Sequence, residues 1–495
     1  MLERDGRKAP GHDQGNIGDI LQLRYSRRQI LRRAATFGLS VPVVSALLAA
    51  CGGEEATPNT APPAPAASPT AAAGQTPAAG QTPAAGATPT GAPAVLKGTQ
   101  LTLLFGTFFV PETQDLMKEQ LEEWGKQNGV QTAIDFVNWP DLQPKISAAV
   151  QAGAGPDIVH FWPGWPYLYK DALVEVNDLA EKVAQTEGDY FDWAMKTVQV
   201  DDTWLSVPIG TSTSAQVYRI SFFQEAGWDD PVNNPPDTWE DLFRIGVELK
   251  KRGTPLGQAF GHSTGDPPSF AYSFMWAHGA MEVEEDGKTV AFNKPEFVEG
   301  MKLLLSYWTQ AFDETGLSWD DATNNRAFLA GQIAWTFNGS SIYIAAQKDA
   351  PDIAEDTMHH IFPQGPAGRF NNLGSQSVGI LSYSKNVEGA KAFLEWWRSP
   401  EQFRRWLEIQ KGYQLTPTPY YIEDPYYTQD PKLKPYAEVG KYGRNIGFAG
   451  PTNEKAAEAS ARYIVVDTFA RAIQSGNAEE AIQWGASELE RIYGG

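Results

Sequence analysis

The sequence predicts an α/β fold, and three features of residues 98–495 carry that prediction. Short apolar runs typical of buried strands alternate with segments whose apolar residues recur every three to four positions, as on one face of a helix. Strands that alternate with helices indicate a largely parallel sheet. The chain has 495 residues, 42% of them apolar, which is longer than one hydrophobic core usually covers. We therefore expect two domains.

The alternation is clearest at the start of this region. Residues 99–105, 132–137 and 157–161 have the composition of buried strands, and 112–128 and 141–151 have helical periodicity. A helix beginning at Thr238 is indicated by the capping-box-like Thr238-Trp239-Glu240-Asp241. The same patterns predict a hairpin around 201–202, strands near 215–219, 332–337 and 377–382, and helices over about 295–311, 321–330, 387–411 and 453–493.

The N-terminus has the layout of an export signal. A basic stretch precedes the 17 uncharged residues 34–50, a run too short for a comfortable membrane span. Arg27 and Arg28 lie in a segment that resembles the twin-arginine signal, and Leu48-Ala49-Ala50-Cys51 resembles the bacterial lipobox. We predict a signal peptide over 1–50 and more than one acyl chain on Cys51, since two chains anchor stably where one is marginal.

A tether follows the predicted anchor. Residues 51–97 combine the lipidated Cys51 with an Ala/Pro/Thr/Gly-rich linker in which 74–79 recurs at 80–85. Such a linker spans roughly 35 to 140 Å, between the flexible and the extended limits. We therefore predict an exported protein that is lipid-anchored to the outer face of the cytoplasmic membrane, in a periplasm or at the cell surface.

Charge and cysteine content exclude several classes of function. The formal charge is 40 − 60 = −20. Nucleic acids and anionic membrane surfaces bind proteins through Lys and Arg, so both are disfavoured as partners. Cys51 is the only cysteine, which excludes an internal disulfide and any Cys-based zinc or iron–sulfur site.

Aromatic residues follow each of the first three predicted strands. In open α/β sheets ligands bind beyond the carboxyl ends of the strands. A flat ring presents the surface against which the C–H face of a sugar stacks, and an indole N–H can bond a hydroxyl. These residues are Phe108, Phe109, Trp139, Phe161, Trp162 and Trp165.

A hydrolase is the enzymatic alternative. Gly261-His262-Ser263-Thr264-Gly265 matches the G-x-S-x-G nucleophile elbow, which requires a strand before the serine and a helix after it. A Gly-rich loop that faces a ligand is the interpretation we favour. A pair of carboxylates could also serve a glycosidase, whereas the absence of H-E-x-x-H disfavours a zinc hydrolase.

Five segments carry motifs that occur together in one family. They are Gly153-Ala154-Gly155-Pro156-Asp157-Ile158-Val159, Val207-Pro208-Ile209-Gly210-Thr211, Phe222 to Trp228 with Asn234 to Leu242, Gly331 to Ser340, and Glu388 to Glu401. Over about 99–490 the chain resembles the bacterial family 1 extracellular solute-binding proteins, the carbohydrate-binding components of ABC importers. It departs from the family at Ser341, where a tryptophan is frequent, and at 217–220.

The resemblance implies a two-lobe periplasmic-binding-protein-like fold of type II with the ligand in the cleft between the lobes. Lobe 1 would comprise 98–212 and 376–413, and lobe 2 would comprise 213–375 and 414–495. The crossovers would lie near 211–217, 359–375 and 412–417. Ligand contacts with both lobes would select a closed form by a hinge motion, and the permease would recognise that form.

The resemblance also implies a receptor that performs no chemistry. Its partners would be a carbohydrate, the permease subunits of an ABC transporter and the membrane through the lipid anchor; it would be a monomer without cofactor or metal. An organic cation such as a polyamine is the alternative ligand, and it would require carboxylates such as Asp141 or Asp266. The implied ligand-binding residues are Phe108, Trp139, Phe161, Trp162, Trp165, Thr211, Phe270, Tyr272, Trp276, Asn338, Ser340, Ser341, Ser375 and Tyr463.

Overall fold

The computed structural model describes residues 96–200 and 202–494. The export signal with Arg27 and Arg28, the lipid-modified Cys51 and nearly all of the linker lie outside the described residues and stay predictions. Within the described residues, no helix has both the length and the apolarity needed to span a membrane.

Strands and helices alternate through the described chain. The strands are β1 Gln100–Gly106, β2 Gln131–Val137, β3 Ile158–Phe161, β4 Gln199–Val200, β5 Thr203–Trp204, β6 Val207–Ser212, β7 Ala215–Arg219, β8 Trp335–Asn338, β9 Thr357–His360, β10 Asn371–Asn372, β11 Gln376–Ile380, β12 Gln414–Leu415 and β13 Gly443–Arg444. The helices are α1 Glu112–Asn128, α2 Trp139–Ala152, α3 Trp165–Leu168, α4 Asn177–Glu187, α5 Asp192–Met195, α6 Ile220–Glu225, α7 Trp239–Lys251, α8 Asp266–Ala277, α9 Pro295–Ala311, α10 Thr323–Leu329, α11 Ser341–Asp349, α12 Pro351–Asp356, α13 Val387–Trp397, α14 Pro400–Ile409, α15 Pro425–Thr428, α16 Lys434–Glu438, α17 Glu454–Ala461, α18 Ile464–Ser475 and α19 Ala478–Tyr493.

Lobe 1 is built around a six-stranded sheet in the order β12-β6-β11-β3-β1-β2. β1 pairs in parallel with both β2 and β3, whereas β11 runs antiparallel to β3 and β6. Helices α1, α13 and α14 cover one face, where Trp124, Trp397 and Trp406 are buried with the strand residues. β1, β2 and β3 thus form the parallel sheet that the alternation predicts.

Lobe 2 is built around a three-stranded sheet in the order β8-β7-β9. Both pairings of β7 are antiparallel, so the expectation of a largely parallel sheet is wrong for this lobe. The reason is that the chain enters β7 from lobe 1 and both of its neighbours run back toward lobe 1. The larger part of the lobe is helical, with an aromatic core from α7, α8, α9 and α18.

The chain passes between the lobes three times. It leaves β6 in lobe 1 and enters β7 in lobe 2 after two residues, and it returns between β9 and β11. The third passage lies later than the predicted 412–417. Tyr421 and Tyr427 still pack in the core of lobe 1, and Leu433 is the first to pack with Ala215 of β7. Residues 414–428 therefore belong with lobe 1, because β12 pairs with β6 before the chain crosses.

Candidate functional site

The carboxyl ends of the lobe 1 strands meet at a cleft between the two lobes. Its cavity volume is about 60 Å³, small beside the several hundred Å³ of a typical ligand pocket. Lobe 1 lines it with Thr107, Phe108, Phe109, Trp139, Trp162, Thr211, Gln376, Tyr413 and Gln414. Lobe 2 lines it with Ser214, Thr264, Gly265, Asp266, Ser269, Asp321, Asn338 and Gly339.

The lobe 1 side of the cleft is an aromatic wall. Trp139 and Trp162 meet edge to face with ring centroids 4.9 Å apart. The Trp139 indole donates to the carbonyl of Thr107 over 3.0 Å, which fixes the ring across the end of β1. A Cβ at Gly106 would lie 2.6 Å from that indole, so glycine at the end of β1 makes room for the ring.

A buried histidine supports this wall from behind. His160 is fully buried, and its ring centroid lies 5.7 Å from Phe108 and 4.8 Å from Trp139. Burial lowers the pKa of His160 to about 3. The imidazole is therefore neutral at physiological pH, and it packs against the rings without placing a charge beneath them.

The lobe 2 side is a hydrogen-bonding wall centred on two carboxylates. Asp321 accepts from the Ser263 hydroxyl (2.7 Å) and from the backbone N–H groups of Gly265 (3.0 Å) and Asp266 (2.8 Å). Asp266 Oδ2 accepts from the amides of Asn324 (2.8 Å) and Asn338 (2.9 Å). The loop that precedes α8 is thus folded around Asp321.

Both carboxyl groups have raised pKa values. For Asp266, burial is the larger cause and the nearby Asp321 the second; for Asp321, burial is the main cause. Within the described part of the chain, no lysine or arginine forms an ion pair with either carboxylate. The lobe 2 wall therefore presents two carboxyl groups that have no basic partner among the described residues.

The structure brings five of the predicted site residues to the cleft: Phe108, Trp139, Trp162, Thr211 and Asn338. Phe161 and Trp165 pack in the interior of lobe 1 instead, Phe161 stacking on Tyr169 at 5.8 Å. Phe270, Tyr272 and Trp276 are buried in lobe 2 because α8 is enclosed on all sides. These five positions are corrections to the predicted site.

The remaining predicted residues lie beside the cleft rather than in its lining. Ser340 and Ser341 are buried where β8 leads into α11, and Ser341 Oγ accepts from Asn325 over 3.3 Å. The Ser375 hydroxyl is buried and accepts from the backbone N–H of Gly210 over 3.0 Å. Tyr463 stacks on His262 with ring centroids 4.5 Å apart.

Several lining residues escaped the sequence analysis. Asp321, Tyr413 and Gln414 carry no motif, and they reach the cleft because loops and the short strand β12 fold back to it. Asp266 was expected to face a ligand only for an organic cation, and it does line the cleft, whereas Asp141 is exposed in the first turn of α2. Phe109 lines the cleft beside Phe108, as a ring that follows a strand should.

The nucleophile elbow is not formed around Ser263. No strand leads directly into Ser263, and its hydroxyl donates to Asp321 rather than to a histidine. His262 Nε2 lies 2.7 Å from Asp467, so the neighbouring imidazole is engaged elsewhere. Among the described residues, no three His, Cys, Asp or Glu side chains are grouped as they would be around a metal ion.

Comparison with known proteins fits this architecture. Residues 119–435 match the family described as bacterial extracellular solute-binding proteins. The chain belongs to that family. It is a family of substrate-binding receptors that act outside the cytoplasm, and the two-lobe type II fold is the fold found here.

Relatives and solved structures show the range of resemblance. The chain is 23% identical over 296 residues to the maltotriose-binding protein of Pyrococcus abyssi, covering 57% of this chain and 59% of that protein. It is 27% identical over 277 residues to the sn-glycerol-3-phosphate-binding periplasmic protein of Shigella flexneri, covering 50% and 55%. The chain thus spans less than two thirds of each of these relatives. A sugar transporter of Arthrobacter chlorophenolicus with bound laminaribiose superposes with a TM-score of 0.69 at 15% identity, covering 79% of this chain and 99% of that one.

Proposed function

We propose that this protein is an extracytoplasmic receptor of an ABC importer that captures a mono- or oligosaccharide in the interlobe cleft. One observation carries the proposal: an aromatic wall on lobe 1 faces a hydrogen-bonding wall on lobe 2. Rings stack on the C–H faces of a sugar, while carboxylate, amide and hydroxyl groups bond its hydroxyls. A ligand held between the two walls would join the lobes and favour the closed form.

The choice of a saccharide over a phosphate ester is supported by charge. One relative is described as binding maltotriose and another as binding sn-glycerol-3-phosphate. A phosphate calls for arginine, lysine or a helix N-terminus as partner. Among the described residues that line the cleft there is no lysine or arginine. The N-terminus of α8 also lines it, but the N–H groups of Gly265 and Asp266 already donate to Asp321.

The rest of the proposal concerns how the receptor is used. It would be held at the outer face of the membrane by acyl chains on Cys51, reach the permease on its linker and deliver the sugar without chemical change. The lobes would act as one monomeric clamp, and we assign sugar contact to Phe108, Trp139, Trp162, Thr211 and Asn338.

A binding screen tests the proposal. Purified full-length protein is scanned for thermal stabilisation against mono- and oligosaccharides, with amino acids and glycerol-3-phosphate for comparison. A ligand at a hundred times its dissociation constant stabilises the folded state by roughly 2.7 kcal/mol. We expect one saccharide class to raise the unfolding midpoint and to be recovered intact; recovery of a cleaved sugar would show an enzyme.

A matched pair of variants locates the binding to the cleft. Trp162→Ala removes a half-buried ring from the aromatic wall. Loss of stacking on an aromatic side chain costs about 1–3 kcal/mol, so affinity should fall about fivefold or more. Trp228→Ala removes a half-buried ring from lobe 2, away from the cleft, and should leave affinity unchanged. Equal affinities of the two variants would contradict the assignment.

A further inference from the structure

The cleft holds two buried carboxylates for which the chain supplies no counterion. Asp266 is 6% exposed and Asp321 9% exposed, and no basic residue of the described chain pairs with them. Elsewhere the protein neutralises an acid at similar depth: buried Glu187 lies 3.1 Å from the guanidinium of buried Arg398. Ionising a buried carboxyl group that has no partner is costly, so a site that keeps two of them is suited to a ligand that brings positive charge.

The two carboxylates differ in what they offer a ligand. Asp321 is occupied on both oxygens by the hydroxyl and backbone donors of its own loop. In Asp266 both amide donors go to Oδ2, and Oδ1 accepts no hydrogen bond from a described residue. Asp266 therefore has the free oxygen, and the carboxyl group of Asp321 lies behind it.

Other unpartnered oxygens line the same cleft. The Thr264 hydroxyl and the Gln414 amide oxygen are buried without a hydrogen-bond partner. Thr264 belongs to lobe 2 and Gln414 to lobe 1, at β12. An ammonium group has three N–H donors, whereas a sugar hydroxyl donates one hydrogen bond, so acceptors on both lobes suit an amine better than a hydroxyl. The aromatic wall opposite can also attract a cation through its ring faces.

We propose that the ligand of this cleft is a saccharide that carries a protonated amine, and that Asp266 is the counterion of that amine. This inference rests on the proposed function and narrows it from saccharides in general to amino sugars. Burial without a basic partner does not by itself identify a carboxyl group that binds a ligand, as Glu282 shows. Glu282 is also buried without a basic partner, yet it lies outside the cleft lining and accepts from Tyr272 and from the backbone of Gly447.

The experiment compares sugars that differ only in the amine. Binding of glucose and glucosamine, and of cellobiose and the β-1,4-linked glucosamine dimer, is measured by titration calorimetry with the purified full-length protein at about pH 6.5, below the pKa of an α-amino group. A hydrogen-bonded charge pair should make the amine form bind about tenfold tighter or more. Spermidine serves as an amine without a sugar ring.

Two variants test whether the preference for the amine depends on Asp266. Asp266→Asn keeps the shape of the side chain and cannot ionise, and it should bring the two members of a pair to within about threefold of each other. Glu355→Gln makes the same carboxyl-to-amide change at an exposed position of lobe 2 and should keep the full preference. A preference that survives Asp266→Asn, or that is lost equally in Glu355→Gln, overturns the proposal.

A second measurement needs no variant. Because burial and Asp321 raise the pKa of Asp266, an amine that binds beside it should drive its proton off. The other titratable groups that interact with Asp266 are Asp321, Asp320, Tyr413 and Tyr436. Calorimetry in two buffers of different ionisation enthalpy should show net proton release for the amine and none for the neutral sugar.

The outcomes separate this inference from the proposed function. If neutral saccharides bind as tightly as their amines, with no proton release, the proposed function holds and the inference fails. If spermidine binds and no saccharide does, the saccharide function fails while a cation site stands. If the amine gives no advantage in any pair, including the case in which nothing binds, the inference is overturned.

Discussion

Glu282 shows at the scale of one residue how burial sets a proton affinity. Its side chain is fully buried in lobe 2, where it accepts from the Tyr272 hydroxyl over 3.2 Å and from the Gly447 N–H. Burial raises the pKa of Glu282 from 4.5 to about 7. The carboxyl group therefore titrates near neutral pH in the folded protein and near pH 4.5 in the unfolded chain.

The difference between the folded and unfolded pKa values of Glu282 predicts that the stability of the protein depends on pH. Between pH 4.5 and 7 the folded state binds more protons than the unfolded state, so the free energy of unfolding falls as pH rises through that window. The loss approaches about 3 kcal/mol. Glu282→Gln keeps an acceptor and cannot ionise, so we expect the variant to be more stable than the wild type at pH 8 and no more stable at pH 4.

Urea unfolding of both proteins across this pH range tests the prediction. The difference in the free energy of unfolding between variant and wild type reports Glu282 alone, because His160 and His359 contribute equally to both proteins. Their folded pKa values are lowered by burial to about 3 and about 4, so their effect has the opposite sign: stability is lost as pH falls below 6.5. Parallel stability curves for variant and wild type would refute the assignment.

At the scale of elements, α7 is the helix whose start the sequence defines most directly. Thr238 accepts from the backbone N–H of Asp241 over 3.1 Å, as the Thr-Trp-Glu-Asp pattern predicts. Thr238→Ala should lower the free energy of unfolding by about 1 kcal/mol, since it leaves that N–H without a partner. Thr238→Ser retains the acceptor and should be near neutral in the same denaturation assay; an equal loss in both would point to the methyl group instead.

Elements could be predicted where the signal is local. The helix at Pro295–Ala311 and the strand at Ala215–Arg219 have the predicted bounds. A proline in the first turn marks the helix, and the strand-forming pair Val217-Tyr218 marks the strand, both within a few residues. The antiparallel sheet of lobe 2 and the late third crossover could not be predicted in this way. Both depend on pairing partners far away along the chain.

The site was predictable only in part for the same reason. Rings that follow β1, β2 and β3 reached the cleft because the carboxyl ends of parallel strands share one edge. The local sequence is equally aromatic at Phe270, Tyr272 and Trp276, yet α8 is buried on all sides. A ring that packs in a core cannot be told from one that faces a ligand by its neighbours in the sequence. Asp266 and Asp321 are 55 positions apart in the sequence, and no local sequence motif extends that far.

At the scale of the whole molecule, the two lobes touch across the cleft. Val110 and Tyr413 of lobe 1 pack with Ile344 of lobe 2, and Lys348 lies 2.6 Å from Glu112 of the opposite lobe. The ion pair is exposed and adds little to stability. With a cavity of about 60 Å³, this arrangement is a closed one, and the lobes must part to admit a saccharide.

Gly339 offers a way to test that closure. It follows β8 of lobe 2 and faces Tyr413 of lobe 1, and a Cβ at this position would lie 2.8 Å from the tyrosine ring. Gly339→Ala should therefore obstruct the closed form and leave the open form unstrained. Overpacking costs typically 1–3 kcal/mol, so affinity for the saccharide found in the screen should fall about fivefold or more.

The readout is the distance between lobes. Dyes on Glu122→Cys and Glu299→Cys, both exposed on helices of opposite lobes, report closure by energy transfer in a Cys51→Ser background. In Gly339→Ala, saturation should need more ligand, while the unfolding midpoint without ligand changes little. Gly440→Ala is the control, because a Cβ there meets Leu415 at an ordinary 3.6 Å. A lower midpoint with unchanged affinity would show instead that Gly339 serves packing within one lobe and that closure does not depend on it.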